Sequence, residues 1–347
     1  MSLAWLLLFL TQILVVKYSE ANIPALIVFG DSSVDSGNNN VLSTVLKSNF
    51  KPYGRDFEGG RATGRFCNGR IPPDFIAEAF GIKSTVPAYL DTAYSIKDFA
   101  NGVNFASAGT GYDNATADVL KVIPMWKELE MYKEYQGKLK SHVGEEKAKE
   151  IIREALYLMS LGTNDFLENY YLIPNRRSQY SVTQYQDFLL GIADNFVRGL
   201  YALGARKLSI TGLIPVGCLP LERTANFKGG HACNKEYNDV ALSFNAKLDN
   251  LIAKLNKELP EIKVVSANAY SIVNDIITRP SAYGYEVADR ACCSTGMFEM
   301  SYMCNEKNPF TCKDAEKYVF WDAFHPTEKT NRIVSTNLVT KLKAAFN

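Results

Sequence analysis

Histidine is almost absent from this sequence: three occur in 347 residues, at positions 142, 231 and 325. A reaction that needs an imidazole base therefore has three candidates and no more. Charge of one sign is also missing. The 38 basic and 37 acidic residues leave a net charge of +1, which matches neither a nucleic acid nor an anionic membrane as partner. No Gly-x-Ser-x-Gly, His-Glu-x-x-His, Walker loop or Gly-x-Gly-x-x-Gly occurs. These absences argue against a nucleophile elbow, a zincin helix, a P-loop and a dinucleotide fold. No linker rich in Pro, Ser or Gly, no repeat and no low-complexity segment divides the chain, so a single domain over 22–347 is expected.

Long hydrophobic runs are confined to the N-terminus. "LAWLLLFL" continues to Val16, an apolar run of about 14 residues, short of the roughly 20 that span a bilayer. Ser19 and Ala21 suit the small-residue positions of a signal-peptidase site, so a signal peptide over 1–21, cleaved after Ala21, and a secreted protein are expected. Cysteine usage agrees with that compartment. Four of the seven cysteines, Cys292, Cys293, Cys304 and Cys312, crowd one loop-like segment with no histidine near and no Cys-x-x-Cys spacing, which favours disulfides over zinc. Cys218 and Cys233 flank one loop and make a natural pair. An odd count leaves at least one thiol free or paired between molecules, and spacing does not connect Cys67 or the four crowded cysteines. Asn114-Ala115-Thr116 is the single sequon and marks Asn114 as a glycosylation candidate on a surface loop.

Five apolar runs read as buried strands: 24–29, 102–107, 155–161, 206–211 and 262–267. Helical patterns lie between them, at 71–80, 119–139, 183–204 and 237–259, and a last helix follows Pro326. Runs of charge such as "EEKAKE" (145–150) read as solvated helix faces. Alternating strands and helices imply an α/β fold with a parallel sheet covered on both faces. Ligands of such sheets bind beyond the carboxyl ends of the strands. Gly30-Asp31-Ser32, Ala108-Gly109-Thr110-Gly111 and Gly162-Thr163-Asn164-Asp165 occupy those positions.

His142 sits in a charged helix and His231 in a Gly-rich loop. His325 differs: Asp322 precedes it by three residues and Pro326 follows. An acid at that spacing can reach Nδ1, fix the tautomer and leave Nε2 free as a base. A base of this kind serves a nucleophile, and Ser32 stands where the first strand ends. The Ser32 and Gly109 N–H groups and the Asn164 amide could then receive an oxyanion, with Gly111 as the alternative to Gly109.

The blocks "FGDSSVDSGNNN", "NFASAGTG", "SLGTNDF", "GLIPVGCLP" and "YVFWDAFHPTE" together resemble the plant-type GDSL esterase/lipase family of the SGNH hydrolases, from about Pro24 to Leu342. That resemblance implies a flavodoxin-like three-layer α/β/α sandwich with a five-stranded parallel sheet. It implies a catalytic triad of Ser32, Asp322 and His325, an oxyanion hole of Ser32, Gly109 and Asn164, and no cofactor or metal. It also implies a secreted, glycosylated esterase or lipase that cleaves small-molecule or lipid esters as a monomer without an integral membrane segment. Ser33 stands where the name-giving motif has Leu, a position without a catalytic role. The same residues would serve an acyltransferase with an alcohol acceptor. A catalytically inactive binding protein is the second alternative. The third is a flavodoxin-like phosphotransfer site with Asp31 and Asp165 on Mg²⁺, which leaves Ser32, Asn164 and His325 idle. Phe166, Tyr170 and Tyr171 are candidate walls of an acyl pocket. The Asn38–Asn40 run is expected to shape the turn behind the nucleophile.

Overall fold

The computed structural model describes residues 23–346; the expected leader at 1–21 lies outside them. The five apolar runs form one parallel sheet: β1 (Leu26–Gly30), β2 (Gly102–Asn104), β3 (Leu156–Ser160), β4 (Lys207–Thr211) and β5 (Lys263–Ser266). Their order is β2-β1-β3-β4-β5, the flavodoxin-like order, whose switch point lies between β1 and β3. All of β1 is buried, as a strand covered on both faces must be.

Side-chain alternation sorts the two faces. Ile27, Phe29, Tyr157 and Met159 pack with Tyr132, Tyr135, Phe196, Val197 and Phe244 of the helices Met125–Val143, Val182–Ala202 and Lys235–Glu258. Leu26, Val28, Leu156 and Leu158 face Ile76, Ala77, Leu342 and Phe346 of the helices Pro72–Ala79 and Glu328–Phe346. The result is a three-layer α/β/α sandwich. The expected helix over 119–139 is two helices, Asn114–Leu120 and Met125–Val143. Lys121 turns left-handed, with φ 55°, and Pro124 cannot continue the first helix, so the chain restarts after it. Asn114 is exposed, as a glycan site requires, but it opens the first of these helices and is not in a loop. Among the described residues no helix is long and apolar enough to cross a membrane.

Two further strands, Val287–Ala291 (β6) and Tyr318–Phe320 (β7), pair in a small separate sheet. They are too short and too mixed in polarity to stand out in the sequence. The expected pair Cys218–Cys233 is a disulfide, and the crowded cysteines join as Cys292–Cys312 and Cys293–Cys304. Cys67 is the free thiol, buried, with its pKa pushed up by desolvation. Cys292 and Cys293 donate backbone N–H groups to the carbonyls of Phe320 and Trp321. The disulfide-pinned segment thus holds the chain that leads directly into Asp322.

A buried acid braces the end of β1. Glu128, in the Met125–Val143 helix, accepts the Gly30 N–H through Oε2 at 2.9 Å, while Oε1 has no partner. Burial, with Asp35 and Asp31 nearby, raises its pKa well above the usual carboxylate range. A folded-state pKa above the unfolded one means the stabilisation is full below the unfolded pKa and is lost as pH rises through the folded pKa. Glu128→Gln keeps the acceptor and removes the titration. It should stay within about 1 kcal/mol of the wild type at pH 5 and gain on it toward pH 9. Glu128→Leu, which strands the Gly30 N–H, should cost about 1–3 kcal/mol. Thermal denaturation at the two pH values checks both, and a Gln variant less stable than the Leu variant contradicts the account.

Candidate active site

Gly30 ends β1 against β3. A Cβ there would sit 2.3 Å from the Ser160 carbonyl oxygen, so only glycine lets the two strands stay paired. The chain then turns sharply, with the Val34 and Asp35 N–H groups both donating to the Asp31 carbonyl. This turn places Ser32 beyond the sheet edge. Its Oγ lies 2.8 Å from His325 Nε2. On the far side of the ring, Nδ1 lies 2.8 and 2.9 Å from the two Asp322 oxygens. A carboxylate facing Nδ1 keeps the proton on that nitrogen and leaves Nε2 to accept the Ser32 hydroxyl. All three side chains are buried.

Asp322 is itself firmly held. Oδ1 accepts the backbone N–H groups of Phe324 (2.9 Å) and His325 (2.7 Å), an Asx-type turn. Oδ2 accepts the hydroxyl of Tyr53 at 2.7 Å, and that hydroxyl accepts the Ser301 N–H at 2.8 Å. Tyr53 was not among the residues expected from the sequence. It lies in an irregular loop, 269 positions from Asp322, with no local signal to connect them. Phe66 and Phe324 pack beside the imidazole, with ring centroids at 4.9 and 5.4 Å.

The candidate oxyanion donors come from the loops after β1, β2 and β3. Among the described residues, neither the Ser32 N–H nor the Gly109 N–H has a protein acceptor, which leaves both available to a ligand. Asn164 is buried and donates one Nδ2 hydrogen to the Thr110 carbonyl at 2.9 Å. That bond ties the Asn164 loop to the residue after Gly109. Gly111, the alternative donor, lies against Asp165: a Cβ there would sit 2.3 Å from Asp165 Oδ1.

Asp165 and Asp31 are spent on local structure. Asp165 accepts the N–H groups of Tyr112 and Asp113 and the Thr116 hydroxyl; burial pushes its pKa up to about 7 against the pull of those donors. Asp31 is raised by burial too, and accepts the Ser33 N–H and hydroxyl. The two carboxyls therefore brace separate loops. The Asn run has a defined task. Asn38 Nδ2 donates to the carbonyls of Asn104 and Ala106, and Asn39 Nδ2 to those of Leu46 and Ala108. These side chains hold the loop after β1 to the loop after β2, and so hold Ser32 in step with Gly109. His142 is exposed on its helix, and His231 is exposed with Nδ1 against the Arg223 carbonyl. Ser36 is buried and accepts from Asn104.

One space opens beside Ser32 and His325 and a second adjoins it, with Phe324 bordering both. A cavity of about 110 Å³ runs from Ser32 and His325 to Leu158, Ile76 and Val334. A groove of about 560 Å³ lies past Phe324, walled by Leu46, Leu120, Leu167, Tyr171 and Phe298. Leu46 and Leu120 also contact the outer face of Gly109. Of the three aromatics expected to line such a space, Tyr171 does, whereas Phe166 and Tyr170 are packed into the core.

Comparison with known proteins shows the family. The family "GDSL-like Lipase/Acylhydrolase" matches residues 26–338. The chain is 60% identical over 332 residues to the GDSL esterase/lipase At2g42990 of Arabidopsis thaliana, covering 96% of this chain and 95% of that one. It is 60% identical over 337 residues to At4g26790 (97% and 96% covered) and 61% over 317 residues to At2g04570 (91% of each), both GDSL esterase/lipases of the same plant. With the family's extent running from β1 to the last helix, and relatives matched along nearly their whole length, the chain belongs to the GDSL-like lipase/acylhydrolase family.

Proposed function

We propose that this carboxylic ester hydrolase works through an acyl-enzyme on Ser32. The observation that carries the proposal is the unbroken line from Ser32 Oγ to His325 Nε2, 2.8 Å, and from His325 Nδ1 to Asp322, 2.8 Å. Ser32 Oγ attacks the ester carbonyl carbon while its proton passes to Nε2. The imidazolium that forms faces the Asp322 carboxylate. The carbonyl oxygen, now negative, takes hydrogen bonds from the Ser32 and Gly109 N–H groups and the Asn164 amide, each worth about 3 kcal/mol in such a site. Nε2–H then protonates the departing alcohol oxygen as the C–O bond breaks. Water repeats the sequence on the acyl-enzyme, losing its proton to Nε2 and releasing the acid.

The same reading takes residues 22–347 as one hydrolase domain and a monomer, made with a leader removed after Ala21 and secreted. Three disulfides support an oxidising compartment, and exposed Asn114 is the glycan acceptor. A fluorophosphonate probe tests the chemistry. Mass mapping of the labelled full chain should find one adduct, on Ser32. An adduct on Ser33 or Ser36 instead, or no adduct on active protein, overturns the assignment.

A further inference from the structure

The groove beside Phe324 is not uniformly apolar. Glu168 and Tyr171 face it from the helical turn that follows Asn164, within the π-helix Asp165–Leu172, and Glu222 faces it from the helix Pro220–Ala225. Glu168 Oε2 and the Tyr171 hydroxyl are both closed off from solvent, and neither has a hydrogen-bond partner. Among the described residues, Glu222 has no side-chain partner either. Buried polar atoms left unpaired cost about 1–3 kcal/mol each, and π-helical turns of this kind recur at functional sites. Orphaned groups in the wall of a cavity of about 560 Å³ point to a ligand that pairs them.

We propose that this groove takes the apolar arm of a neutral ester that carries a hydroxyl group, and that Glu168 and Tyr171 read that hydroxyl. The proposal rests on the acyl-enzyme reading for the position of the scissile bond. It concerns which arm lies beside it.

The walls set the apolar part. Val45, Leu46, Leu120, Leu167, Phe298 and Phe324 offer contact but no polar recognition. The orphans set the oxygen function. A carboxyl and a phenol each give and take a hydrogen bond, so together they match a hydroxyl, which does both. Electrostatics decides that the arm is neutral. No Lys, Arg or His lines the groove, so an acidic arm would meet only carboxyls. Burial, reinforced by Asp31 and Asp165, pushes Glu168 up to about 8, and burial pushes Glu222 up to about 7. At about pH 6, below both values, the two carboxyls hold their protons and give a cation little attraction.

Binding to the full chain carrying Ser32→Ala tests the groove without turnover. The probes are methyl dodecanoate and its 6-hydroxy and 12-hydroxy derivatives, read by titration calorimetry below their micellar range. One hydroxylated ester should bind about tenfold more tightly than the plain one. Adding Glu168→Leu should erase that margin and leave the plain ester bound as well or better, because an apolar side chain suits its arm. Glu168→Gln should preserve most of the margin. Tyr171→Phe should reduce it. Equal binding of all three esters overturns the proposal, as does a margin that survives Glu168→Leu. So does tighter binding of a trimethylammonium-capped ester. If Glu168→Leu does not fold, the comparison of the three esters on Ser32→Ala still decides. Absence of ester turnover by the wild-type chain is a separate result, and it counts against the acyl-enzyme reading alone.

Discussion

Ser32→Ala should lower kcat for a short-chain p-nitrophenyl ester by about 10⁴- to 10⁶-fold, with KM changed by no more than about threefold. The reason lies in what the hydroxyl does and does not touch. Ser32 Oγ makes one side-chain hydrogen bond, to His325 Nε2, so its loss costs about 1 kcal/mol of stability and the fold stays. Its loss removes the hydroxyl that, among the described residues, sits on that nitrogen and that the proposed acyl-enzyme requires. Groups that act as one unit are not additive. Ser32→Ala combined with His325→Ala should therefore be no slower than Ser32→Ala alone. The residual rate over water should be about 10³-fold, supplied by the oxyanion donors and substrate binding. Ser33→Ala is the control. Its hydroxyl bonds to Asp31 and Ser160 and points away from the imidazole's partner, so its kcat should fall by less than about tenfold. A Ser32→Ala enzyme that keeps more than about a tenth of wild-type kcat would mean that another nucleophile does the work.

The parts of this site that the sequence displays are those where chemistry and local chain geometry coincide. Ser32 stands at a strand end, and β1 is legible because every residue in it is apolar and buried. Asp322 and His325 are three positions apart, so one turn brings them together and a proline fixes the exit. Gly109 and Asn164 are visible through the same strand-end logic. What stays hidden depends on long-range packing. Tyr53 reaches Asp322 from an irregular loop, and nothing near it in the chain marks it. Glu128 lies in a helix whose neighbouring glutamates, Glu130 and Glu134, are solvated, and charge alone does not tell a buried acid from an exposed one. Cys292 and Cys293 are adjacent, so spacing gives each the same choice of partner. Only the pairing of their backbone with Phe320 and Trp321 sends them different ways. The Asn run looked like turn material and is in fact a set of side-chain amides that replace missing strand pairing between two loops.

Asp322→Asn should lower kcat by about 10³- to 10⁴-fold, a large loss but a smaller one than that of Ser32→Ala. Four donors converge on Asp322: two backbone N–H groups and the imidazole on Oδ1, and the Tyr53 hydroxyl on Oδ2, where the imidazole also comes within 2.9 Å. An asparagine has one acceptor oxygen and one amide nitrogen. The backbone N–H groups cannot turn away, so the oxygen stays at the Oδ1 position and the amide lies toward Tyr53 and the imidazole. The amide hydrogens then compete for the Nδ1 lone pair. That favours the tautomer with its proton on Nε2, which can no longer accept from Ser32. Tyr53→Phe removes a donor and leaves the carboxylate and the tautomer intact. It should lower kcat by no more than about tenfold and stability by about 1.5–3 kcal/mol. The order of the two variants separates the roles. If Tyr53→Phe costs as much kcat as Asp322→Asn, the orientation of the carboxylate governs the rate. If Asp322→Asn costs less than about tenfold, His325 is held by its aromatic neighbours Phe66 and Phe324 and the acid is dispensable. The expected result, a large loss for the acid and a small one for its donor, places the chemical requirement on the negative charge and the Nδ1 proton.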